Sequence, residues 1–207
     1  MNIYLTNIEN ISKNMIDTGL LSVRGKGKFE RLSGVNEKKA VQSAVGDLLL
    51  KHICKLNDCD FCPDETEKGK PYIKNGNFCF SVSHSENVVA VAVSKEEVGV
   101  DTECLKPIKK GLPEMTLNEL ELDNYNKIED DGERDRYFYR CFTEKESYLK
   151  FLGTGFETLP RDIKSYEGGV FVTKYLFLQS EIYAMTICAK DIKSIRVHNV
   201  RFDELTK

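Results

Sequence analysis

Val41, Ala44, Val45, Leu48 and Leu49 recur at spacings of three and four, so residues 37–53 carry one apolar stripe and are expected to form a helix. Shorter apolar runs flank it. Residues 2–8 open the chain as a strand, and residues 78–83 and 88–93 form two β-like runs around the polar turn His84-Ser85-Glu86-Asn87. A third short run covers residues 98–103, while the turn-rich stretch 57–70 carries no periodicity. Further along, Thr116 and Glu119 are spaced as a capping box for a short helix over residues 117–128. The acidic stretch 129–133 then separates it from a strong helix over residues 135–152, stopped by Gly153 and Gly155. β-like runs over 170–178, 182–189 and 194–200 complete the pattern.

This order of elements implies an α+β fold: two pseudo-symmetric α/β halves, each a small, mostly antiparallel sheet packed against a helix, with a cleft between them. The expected halves are residues 1–104 and 105–207, joined by the segment LKPIKKGLP at 105–113, whose two prolines and glycine mark a connector. No strict repeat supports the duplication, which rests on element order alone.

At 207 residues and 41% apolar content the chain can bury a sizeable core. Its 30 basic and 33 acidic side chains nearly cancel, so no global positive field draws it to nucleic acid or to an anionic membrane. Any basic site is therefore local. Residues 1–20 hold no unbroken apolar run, which argues against a signal peptide or membrane span and for a cytoplasmic chain. With no export signal and an odd count of seven, the cysteines are expected as reduced thiols. Cys54, Cys59 and Cys62, with His52 upstream, approximate a zinc spacing but lack a second paired cluster, which favours the plainer reading.

Four features carry candidate chemistry. In VGVDTE the carboxylates of Asp101 and Glu103 are two residues apart, and strand periodicity turns both to one face, an arrangement suited to a hard cation. Taken alone, the same spacing describes an ordinary solvated strand end. On the long helix, Phe138, Phe142, Leu149 and Leu152 define the apolar stripe, and Glu146 and Lys150 lie on its flank, where they border a cleft or form an i,i+4 ion pair. His84 stands in Ser83-His84-Ser85 at a strand end, accessible between small neighbours. Arg24, Lys26, Lys28, Arg31, Lys38 and Lys39 concentrate positive charge that grips a phosphate or simply solvates a helix face.

As an ordered set, Gly69-Lys70-Pro71, Phe80-x-x-Ser83-His84-Ser85, Val98-Gly99-Val100-Asp101-x-Glu103 and Phe142-Thr143-x-Lys145-Glu146-Ser147-x-x-Lys150 resemble the signatures of the surfactin-synthetase-type (Sfp-type) 4'-phosphopantetheinyl transferases. Ser81 stands where that family often has asparagine. The resemblance implies two α/β halves with coenzyme A and Mg2+ in the cleft between them. By matched position, Asp101, Glu103 and Glu146 would hold the metal, and Lys150 and His84 would contact phosphate oxygens. Lys70, Pro71 and Ser83 would line the nucleotide side, and Lys28 and Arg31 resemble the cations for the ribose 3'-phosphate. The implied reaction moves the phosphopantetheine arm of coenzyme A to a serine of an acyl or peptidyl carrier protein and releases 3',5'-ADP. Glu146, Lys150 and His84 would then be catalytic. The sequence leaves open whether Glu146 takes the serine proton or only ligates metal, and whether the leucines and aromatics of residues 112–125 face the carrier. A monomer is the simpler expectation, since one chain would form the whole cleft. Rival readings are a metal-dependent phosphohydrolase acting on a nucleotide-like substrate and a non-catalytic coenzyme A-binding module.

Overall fold

A strand that is apolar at nearly every position needs cover on both faces, and VVAVAVS meets that requirement at the centre of the molecule. In the computed structural model, which describes residues 1–154, 158–178 and 180–207, this segment is strand β5 (Val88–Ser94), buried up to its last residue. It lies antiparallel between β1 (Asn2–Asn7) and β4 (Cys79–Ser85), and β9 (Arg196–Asn199) joins parallel to β1, giving the order β4-β5-β1-β9. Val89, Val91 and Val93 face helix α2 (Glu37–Leu56), where Val41, Val45, Leu48 and Leu49 supply the expected stripe. Val88, Ala90 and Ala92 face the other way, onto Val98, Val100, Met185 and Ile187.

Those residues belong to a second, antiparallel sheet of order β6-β8-β7, built from β6 (Val98–Cys104), β7 (Val170–Leu178) and β8 (Glu181–Ala189). Its far face carries helix α5 (Asp131–Leu152), whose Tyr148 and Leu149 pack on Cys188 and Phe171. The layers thus run α2, first sheet, second sheet, α5. Gly99 lets the last two meet: a Cβ there would lie 1.8 Å from the Ser147 carbonyl oxygen, so helix backbone rests directly on strand backbone.

Several elements depart from expectation. The α+β class and the pairing of each sheet with one long helix hold, but the sheets trade strands across residue 104. β6, from the first half, sits in the second sheet, and β9 returns to the first. A helix α1 (Val23–Ser33) forms where Gly25 and Gly27 obscured the pattern, and the turn-rich stretch contains a two-stranded ribbon, β2 (Pro63–Glu65) with β3 (Pro71–Ile73). The acidic stretch 129–133 is a shorter separator than expected. Glu129 and Asp130 still separate the helices, but Asp131 and Glu133 already belong to α5, with the Asp130 side chain accepting from the Glu133 N–H, because carboxylates suit the positive end of a helix. Thr116 closes a short helix α3 (Leu112–Thr116), and the capping box of α4 (Glu119–Lys127) is Asn118 with Glu121. A last turn, α6 (Phe202–Leu205), follows β9. Gly153 is the left-handed cap of α5, at φ 68°, while Gly155 lies outside the described residues. Among the described residues no helix is long and apolar enough to cross a membrane.

Candidate functional site

Strand β6 pairs with β8 along one edge only, and its other edge would leave backbone N–H groups buried and unpaired. The serines of β4 satisfy them. Ser81, Ser83 and Ser85 alternate onto one face of β4, and their hydroxyl oxygens accept from the N–H groups of Val100 (3.1 Å), Thr102 (3.1 Å) and Cys104 (3.0 Å). Two of these hydroxyls also donate: Ser83 to Asp101 Oδ1 at 2.9 Å, and Ser85 to Glu103 Oε2 at 2.8 Å. A period-two run of serines therefore joins the two sheets and orients both acids of β6, each contact to a carboxylate being worth about 1.5–3 kcal/mol.

Helix α5 brings the third acid and a cation to the same place. Lys150 Nζ donates to the Val100 carbonyl at 3.1 Å and pairs with Asp101 Oδ1 at 2.7 Å. The Asp101 side chain is only 5% exposed, and its other oxygen, Oδ2, is buried without any hydrogen-bond partner. Burial, then the charge of Asp101, raises the pKa of Glu103 to about 7, and the same two causes raise that of Glu146. Three carboxylates and one ammonium thus share a half-buried cleft, and the surplus charge is negative. Among the described residues no three His, Cys, Asp or Glu side chains close into a finished metal cluster.

From this centre a groove runs toward the first half of the chain. Glu146, Lys150, Phe80, Ser81, Lys70 and Pro71 line a cavity of ≈ 300 Å³. Lys70 is anchored there, donating to the Phe151 carbonyl at 3.1 Å and pairing with Glu97. Gly69, Pro71, Phe80 and Val82 are shared with a second cavity of ≈ 260 Å³, which adds His84, Gln42, Arg24 and Lys28. Burial lowers the pKa of His84 to about 4, helped by the positive charges of Lys150 and then Lys28, so the imidazole is neutral near pH 7 and can donate one N–H. Helix α1 reaches this end because Asp47 of α2 accepts from both the N–H (2.7 Å) and the hydroxyl (2.8 Å) of its cap, Ser22. Gly25 allows the approach, since a Cβ would lie 2.3 Å from Asp47 Oδ2.

Of the residues singled out from sequence, Glu146, Lys150, Lys70, Pro71, His84 and Lys28 line the groove, while Asp101, paired with Lys150, and Glu103 lie beside it, outside both linings. Ser83 does not line it, being 5% exposed and committed to Asp101 and β6. Arg31 is also outside the lining, and Arg24, one helical turn before Lys28, stands there instead. Gln42 carries no sequence signal for the groove, and Arg24 stands out only as one of six clustered cations; the i,i+4 spacing of Arg24 and Lys28 places them together once α1 is known.

Residues 97–179 match the model of the 4'-phosphopantetheinyl transferase superfamily. The chain is similar to several proteins named 4'-phosphopantetheinyl transferases. It is 32% identical over 142 residues to 4'-phosphopantetheinyl transferase ffp of Bacillus subtilis, a match covering 65% of this chain and 62% of that protein. It is 29% identical over 132 residues to 4'-phosphopantetheinyl transferase Sfp of Bacillus subtilis, covering 61% and 58%. To 4'-phosphopantetheinyl transferase HetI of Nostoc sp. it is 29% identical over 103 residues, covering 46% and 43%. The chain therefore spans less than two thirds of the length of these curated relatives.

Proposed function

We propose that the protein transfers the 4'-phosphopantetheine group of coenzyme A to a serine of an acyl or peptidyl carrier protein, acting as a Mg2+-dependent monomer. The observation that carries this reading is the polarity of two adjoining cavities, with Glu146 and Lys150, backed by Asp101 and Glu103, at one end and Arg24 and Lys28 at the other. A substrate matching it has a pyrophosphate at the metal end and a further anionic group a nucleoside away. The similarity to named 4'-phosphopantetheinyl transferases supports the same assignment.

The donors present fit a divalent cation. Asp101 Oδ2 is a buried oxygen lacking any partner, and burial and the Asp101 charge raise the pKa values of Glu103 and Glu146, a tension that a cation would relieve. These three residues would hold the ion, which when bound supplies neutralisation of the pyrophosphate charge. The chain's own groups do the rest. Lys150, fixed by the Val100 carbonyl, offsets the charge of the departing 3',5'-ADP, and neutral His84 donates to a phosphate oxygen. The serine oxygen of the carrier bonds to the β-phosphorus as the pyrophosphate P–O bond breaks, and Glu146 receives the serine proton. Phe80, Pro71 and Val82 give the nucleotide an apolar wall.

The test is intact-mass analysis of apo carriers from fatty-acid, polyketide and peptide systems after incubation with coenzyme A and Mg2+. One carrier should gain the mass of the phosphopantetheinyl group. Phosphate release without a mass gain would replace transfer by hydrolysis, and coenzyme A binding without either would leave only a binding module.

A further inference from the structure

Lys145 precedes the proposed catalytic acid and is fully buried, with 0% of its side chain exposed. None of the roles above uses it. A buried ammonium is expensive unless its charge and its hydrogens are matched, and both partners come from one neighbouring segment. Its Nζ pairs with Glu121 Oε2 of α4 at 2.6 Å and donates to the Thr116 carbonyl at the end of α3 at 3.0 Å. Glu121 is fixed in turn, its Oε2 accepting from the Asn118 N–H at 2.9 Å, while the Asn118 amide donates to the Ile163 carbonyl at 3.1 Å. The contact is thus a continuous polar strut from helix α5 through α4 to the chain beyond α5.

The opposite side of α5 is constrained as well, where the Ser147 carbonyl rests on Gly99 of β6. Successive helical residues are rotated by about 100°, so residues 145 and 147 meet different surfaces, and the residue between them has its direction set by both contacts. That residue is Glu146. We propose that Lys145 is a positioning residue: by pairing with Glu121 and Thr116 it fixes the rotation of α5 about its axis and so aims Glu146 at Asp101 and Glu103. The apolar stripe of α5 already sets its rotation coarsely, and the directional ion pair and hydrogen bond of Lys145 narrow it. The inference rests on the transferase reading for its kinetic test and on the geometry alone for its exchange test.

Lys145→Met removes the charge and strands Glu121, so it should lower both the melting temperature and kcat. The informative protein is Lys145→Met/Glu121→Gln, in which glutamine keeps an acceptor for the capping box and no unpaired charge remains. If Lys145 positions Glu146, this double variant regains the wild-type melting temperature, yet its kcat stays about tenfold or more below wild type while KM for coenzyme A moves less than about twofold. Amide hydrogen exchange over residues 142–150 should also be faster than in wild type. Recovery of kcat together with the melting temperature, or unchanged exchange in that window, would overturn the proposal and leave Lys145 as a stability element. Should wild type modify none of the carriers, the transferase reading falls, and the exchange comparison still decides whether the strut controls α5.

Discussion

The two ends of the groove are built from the same kinds of charged residue but held in opposite ways. At the acidic end Asp101 is nearly sealed from solvent, and a serine, a lysine and two sheets determine where its carboxylate points. At the basic end Arg24 and Lys28 project from the exposed face of a helix held by Phe29 in the core and by the Asp47–Ser22 contacts. Bond rearrangement needs charges fixed to within a fraction of an ångström, whereas gripping a solvated phosphate tolerates mobile, screened ones. On the proposed transferase reading, chemistry falls to β6 and α5 and substrate capture to α1, and substitutions at the two ends are predicted to differ in kind as well as in size.

The largest effect should come from Asp101→Asn or Glu146→Gln, each of which keeps shape and removes a charge. Either should reduce transfer by on the order of 10³-fold with little change in the circular dichroism spectrum or in coenzyme A affinity by calorimetry. A loss confined to coenzyme A affinity would erase the contrast by making the acidic end a binding site like the other. Gly99→Ala tests the rigidity itself. The added methyl would meet the Ser147 carbonyl, so α5 must lift from β6, at about 1–3 kcal/mol or more and roughly 2–4 °C of melting temperature for each kcal/mol. Transfer should fall further than stability alone explains, because Glu146 and Lys150 ride on the displaced helix. A variant as stable and active as wild type would mean that the helix–strand contact positions nothing.

How much of this was legible in the sequence follows the same division. The acidic end could be read because its residues sit in periodic elements: Asp101 and Glu103 share a strand face, and Glu146 and Lys150 share a helix flank. The gathering of the two pairs could not be read from period alone, since it depends on β6 leaving its own half to join β8. Nor could the serine ladder, because Ser81, Ser83 and Ser85 look like polar relief in an apolar strand until a second edge needs their hydroxyls. At the basic end the helix carrying the cations was hidden by Gly25 and Gly27, poor helix formers. Gly25 is required by the close approach of Asp47, so tertiary packing imposed the very residue that masked the local signal.

That masking produces the smallest and most discriminating expectation. Matching by sequence pairs Arg31 with Lys28, whereas the groove is lined by Arg24 with Lys28 and leaves Arg31 in the last turn of α1, outside the lining. Arg24 also has an ion pair with Glu65 to exchange for a substrate phosphate, which trims its net contribution, and exposed pairs of this kind are worth about 0–1 kcal/mol. Arg24→Ala should therefore weaken coenzyme A binding only about three- to tenfold, since charge-assisted hydrogen bonds contribute about 1.5–3 kcal/mol before that exchange is subtracted. Arg31→Ala should weaken it less than about twofold. The Arg24 effect should shrink as salt is raised, because both partners face solvent, and kcat at saturating coenzyme A should be unaltered. Calorimetric titration of both variants at two ionic strengths measures this, and an Arg31 effect exceeding that of Arg24 would return the grip on the phosphate to the far turn of α1.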